Sequence, residues 1–81
     1  MKMEFRIQVL KVERDVTGQK KVAVFRVEDM VQAALGCKAT VTEDSNAFVV
    51  TVDNFRYDEE RAKQMIEQYF KNKKEYEFFF I

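Results

Sequence analysis

The chain has no histidine, no proline and no tryptophan, and only one cysteine and two glycines in 81 residues. Each shortage excludes something. Without His, the side chain that most readily exchanges protons near neutral pH is missing. With Cys37 alone, a disulfide within the chain is impossible, and a Cys/His zinc site lacks its ligand set. Gly18 and Gly36 cannot supply the glycine-rich loops GxGxxG or GxxxxGK[ST] that wrap phosphates. Charge of one sign is also lacking: 14 Lys and Arg balance 14 Asp and Glu. A dedicated nucleic-acid domain usually carries a basic excess, so a basic patch here implies an acidic surface elsewhere. No apolar run approaches the roughly 20 residues of a membrane span. Met1 to Arg6 places charges where a signal peptide has its apolar stretch. Together with the lone thiol, this leads us to expect a cytoplasmic protein.

What is present is an ordinary apolar fraction, 47%, with Phe well represented. Disorder is not expected of such a chain. Met3, Phe5, Ile7 and Val9 alternate with Glu4, Arg6 and Gln8, the pattern of a half-buried strand. At Leu10 and Val12 the phase slips, which predicts a β-bulge near Val9 and Leu10. A turn around Thr17 and Gly18 leads into Lys21 to Val27, apolar on both phases and therefore read as a second, more buried strand. Glu28 and Asp29 would open a short helix whose apolar set includes Met30, Val31, Ala34 and Leu35, stopped by Gly36. Cys37 to Thr42 and Ala47 to Val52 read as a second hairpin around Glu43 to Asn46. Asp58 is the expected N-cap of a helix to Asn72, with Ala62, Met65, Ile66, Tyr69 and Phe70 as one stripe. Glu75 to Ile81 closes the chain as a strand.

The element order is thus ββαββαβ. It predicts a single α+β domain over residues 1–81, a mixed but mainly antiparallel sheet with two helices on one face. From the second strand onward the order βαββαβ resembles that of a ferredoxin-like domain with an extra N-terminal strand. The resemblance is one of element order and implies nothing about function.

Chemistry is sparse. Ser45, the only serine, sits in a turn with no base in sequence reach, and a serine nucleophile needs one. Cys37 follows a helix C-terminus, where the dipole opposes a thiolate, so it reads as a small buried residue. Glu43, Asp44 and Asp53 lack the spacing of a divalent-ion loop and read as solvated hairpin acids. No catalytic residue, metal site or cofactor is therefore expected. Two basic clusters remain. Lys71, Lys73 and Lys74 suit a helix C-terminus. Lys11, Arg14, Lys20 and Lys21 flank the first turn, either as a charged edge that blocks aggregation or as a ribbon for nucleic acid. Glu13 and Asp15 among them would repel a polyanion. In Phe78-Phe79-Phe80, alternation sends Phe79, with Ile81, to the face opposite Phe78 and Phe80. Phe79 could lie under the first strand, seal a dimer or stack a base.

These readings lead us to expect a non-enzymatic protein-binding module, an inhibitor or adaptor acting on a larger protein or complex. It would use a sheet edge along Met3 to Arg14 or charged faces. Small domains of this kind are common among phage and mobile-element accessory proteins. The alternative is nucleic-acid binding by the basic first hairpin, with Phe79 or Tyr57. A symmetric homodimer through exposed edges is a further expectation.

Overall fold

The computed structural model describes residues 2–12 and 19–81. Five strands and two helices follow the chain: β1 (Lys2–Val12), β2 (Gln19–Lys21), α1 (Val24–Leu35), β3 (Thr40–Asp44), β4 (Ala47–Asp53), α2 (Glu59–Lys71) and β5 (Tyr76–Phe80). Every strand pairing is antiparallel. Ile7 stands opposite both Phe48 of β4 and Phe80 of β5, and Leu10 opposite both Lys21 of β2 and Glu77 of β5. The two edges of β1 are thus shared out. β4 and then β2 run along one, β5 lies on the other, and β3 lies outside β4.

The path β5-β1-β4-β3 is the ferredoxin-like order, and the fold is α+β as expected. The element outside that order is the three-residue β2, while the N-terminal strand takes the central place. The reason is length. β1 has 11 residues, enough for β4 to cover its first half and β2 its far end.

The alternation in β1 is the basis of the core. Met3, Phe5, Ile7 and Val9 are buried with Phe48, Val50 and Val52 of β4 and Val41 of β3. The helices close over this face with Val27, Met30, Val31 and Leu35 from α1 and Ala62, Ile66 and Phe70 from α2. No bulge interrupts β1, whose register against β5 runs unbroken from Ile7 to Lys11. Leu10 and Val12 instead turn to the other face, half-buried, and their apolar character needs no phase slip.

The expected second strand is mostly helix. β2 ends at Lys21, and α1 begins at Val24, with Ala23 as an N-cap that makes no side-chain bond. Val24, Val27, Val31 and Leu35 recur at three- and four-residue steps, a helical stripe that begins before the acids at Glu28 and Asp29. Phe25 and Arg26 consequently point to solvent. The second hairpin is also shifted, with β3 beginning at Thr40 and the turn confined to Ser45 and Asn46. α2 is as read: the Asp58 carboxylate accepts the Arg61 N–H at 2.9 Å.

Candidate binding edge and groove

An antiparallel strand turns the N–H and C=O of alternate residues to alternate sides. On the inner side of β5, Glu75 accepts the Val12 N–H and Ile81 donates its N–H to Arg6. The odd-numbered residues of β5 therefore address β1. Phe78 and Phe80 address the outside, and among the described residues their N–H groups have no partner. The opposite margin of the sheet is treated differently. There the N–H groups of Val41 in β3 and of Ala39 just before it donate to the side chains of Glu28 and Gln32 from α1. One edge is covered by a helix's own polar groups, and the other is left open.

Side chains along the open edge fall into two rows. On the open face of the sheet stand Phe79, 49% exposed, and Ile81, 69% exposed. On the helical face, Phe78 and Phe80 are half-buried, and Phe78 stacks on Phe70 with ring centres 4.9 Å apart. Alternation thus placed Phe79 and Ile81 correctly.

Between α2 and β5 lies a groove of about 370 Å³. Phe70, Tyr76 and Phe78 line it with the flanking Glu67, Lys71, Lys73 and Lys74. Lys73 is also held over the Tyr69 ring at 5.3 Å. Lys63, Glu67 and Lys71 recur every four residues on α2, so one row of that helix runs beside β5. At its far end Lys63 Nζ sits over the rings of both Phe80 and Phe5, at 5.6 and 5.7 Å, and pairs with Glu59 at 3.5 Å. No ion pair among the described residues takes up Lys71, Lys73 or Lys74.

Of the residues singled out from the first turn, Lys11 lies at the same end of the molecule. Lys11 is exposed and stands opposite Tyr76 on one side and Lys20 on the other. Lys21 is in register with Leu10, and Arg14 lies outside the described residues. Sequence separation hid this approach: Lys11 and the lysines at the end of α2 are some sixty positions apart, yet both flank Tyr76 at the start of β5. Phe79, opposite Gln8, is on the other face of the sheet from Lys11. Tyr57 follows β4, whose last residue, Asp53, is opposite Lys2. At about 3.3 Å per residue, Lys2 and Lys11 are roughly 30 Å apart, so Tyr57 and the lysines form no common site.

The open face does not make a stacking platform. The two central strands put Lys2, Glu4, Arg6, Gln8, Val49, Thr51 and Asp53 there, and no aromatic. Arg6 and Asp44 pair across it at 2.8 Å, and the Gln8 amide donates to the Asn46 carbonyl. Phe25, 66% exposed on α1, escaped the sequence reading because its segment read as a buried strand. A hollow of about 570 Å³ between α1 and α2 takes in none of the expected site residues. Cys37 is half-buried, and no group of three or more His, Cys, Asp or Glu among the described residues is placed to hold a metal. No described helix is long and apolar enough to cross a membrane. Comparison of the chain with protein-family models, curated proteins and solved structures finds no match.

Proposed function

We propose that this protein is a non-enzymatic protein-binding module that captures a strand of its partner along β5. The observation that carries the reading is the contrast between the two sheet margins. Side chains from α1 take up the N–H of Val41 in β3 and of Ala39 just before it, whereas the N–H groups of Phe78 and Phe80 are open beside exposed Phe79 and Ile81. An unprotected apolar edge is a template for strand pairing. Main-chain hydrogen bonds to it supply affinity, and a groove beside it supplies choice of side chain. The sequence offers a sheet edge along Met3 to Arg14 or charged faces as the contact; β1 lies between β4 and β5, which supports β5 in place of β1 as the docking edge. The role remains that of an inhibitor or adaptor, acting in the cytoplasm, where Cys37 stays reduced. An accessory protein of a phage or mobile element fits this role.

The test is capture from the native host at moderate salt with the tagged chain, against Phe79→Lys/Ile81→Lys. Both positions are exposed, so the double change spares the core while placing charges on the edge. A protein retained by the native chain and lost from the variant is the expected result. Retention by both removes β5 from the account, and a photo-crosslinking aromatic at position 79 that labels nothing removes it as well.

One observation favours a second reading, nucleic-acid binding. The lysines at the end of α2 and Lys11 share one end of the molecule, and Lys20 is the register partner of Lys11, so cations gather on neighbouring strands. Glu67, Glu75 and Glu77 at the same end weigh against a phosphate chain. Titration with labelled single- and double-stranded oligonucleotides at low salt decides it. Binding that falls steeply with salt and is lost in Lys20→Glu/Lys21→Glu upholds the reading. A flat titration ends it.

A further inference from the structure

We propose that the strand received by β5 is an acidic extended segment of a partner protein, in which Asp or Glu alternates with apolar residues. This rests on the reading of β5 as a docking edge and names the chemistry of what docks there. A strand added outside β5 sends alternate side chains to opposite faces of the sheet. Those on the helical face meet the row formed by Lys63, Glu67 and Lys71 and, in the turn after α2, Lys73 and Lys74. Four of these five are cations, and Lys71, Lys73 and Lys74 have no carboxylate partner among the described residues. Side chains on the other face meet Glu77 at one end and then Phe79 and Ile81, which are apolar and exposed. One face of the incoming strand is thus matched by carboxylates and the other by aliphatic or aromatic groups.

Two other occupants fit less well. A second copy would bring Phe78 and Phe80 of its own β5 to the helical face and leave the lysine row without counter-charge. A nucleic acid has no peptide backbone for the open N–H groups of Phe78 and Phe80.

A phage-displayed library of random peptides, selected on the immobilised full chain, tests the proposal. Selected sequences should lack proline and carry Asp or Glu at alternate positions. The synthetic peptide should shift the amide resonances of Tyr76 to Phe80, and Lys73→Glu/Lys74→Glu should weaken it by about tenfold or more, roughly 1.4 kcal/mol. Both substitutions lie beyond the end of α2, and an unchanged amide spectrum elsewhere shows that the fold is kept. Neutral or basic peptides that shift the same β5 amides would overturn the acidic partner while leaving strand capture standing. So would a dimer, seen by light scattering, that Phe79→Lys dissolves. Peptides that shift no β5 amide, or no selected peptide and no dimer, would overturn both.

Discussion

At Asp58 one carboxylate oxygen takes up the Arg61 N–H, a donor that α2 would otherwise leave unpaired at its first turn. The chain there is extended, with ψ 174°, and the Asp58 carbonyl accepts the Ala62 N–H at 3.1 Å as the first bond of the helix. Asp58→Ala should lower unfolding stability by about 1 kcal/mol in urea titrations, and Asp58→Asn by much less. Gly36 provides the opposite kind of control. Its φ is +69°, and an added Cβ would meet nothing within 4 Å. Gly36→Ala should therefore cost about 1 kcal/mol from the left-handed backbone alone, with no repacking visible in methyl spectra. A loss well above this would mean that the end of α1 is tighter than it stands. Both residues were legible in the sequence because each acts within a few positions of itself. Ala23 was not: α1 starts there with no side-chain cap, and nothing local announces it.

Between strands and helices, local pattern and tertiary placement part company. Ala23 to Val27 is apolar at steps of one, two, three and four, so periodicity alone leaves strand and helix both open. Packing decides for helix, since Val27 and Val31 are fully buried when they share a stripe. The supposed bulge in β1 failed for a related reason. A bulge is needed only if every apolar residue of the strand belongs to the core, and Leu10 and Val12 lie half-exposed on the open face. The covering of β3 was invisible in the sequence, because Glu28 and Gln32 reach across 13 and 7 positions to Val41 and Ala39. Those two side chains blunt that margin. Glu28→Ala/Gln32→Ala should leave the fold intact, at a cost of about 1 kcal/mol per bond. It should also expose a second edge, so that light scattering at high concentration shows association absent from the native chain. A variant that stays monomeric would show that Thr40–Asp44 is too short and polar a strand to pair.

Over the whole molecule the candidate site is a product of topology. Lys11 comes to the same end as the α2 lysines because β5 returns antiparallel beside the far end of β1, and no spacing rule predicts that approach. Phe79 and Ile81 were legible, since alternation alone separates them from Phe78 and Phe80. The same topology grades the backbone by how well it is held. The N–H of Ile7 lies between β1 and β4, inside the buried heart of the sheet, and its side chain is fully buried. The N–H groups of Phe78 and Phe80 lie at the rim with no partner among the described residues. Amide hydrogen exchange should therefore put Ile7 and Val50 among the slowest positions, opening only with global unfolding, and Phe78 and Phe80 among the fastest in any strand. Within β5, Phe79 should exchange more slowly than either neighbour, because its N–H addresses β1. A strand captured from a partner must reverse that alternation, slowing Phe78 and Phe80 while leaving Phe79 nearly unchanged. Protection that instead rises along Lys11 and β2 alone would place the partner at the basic hairpin and away from the β5 edge.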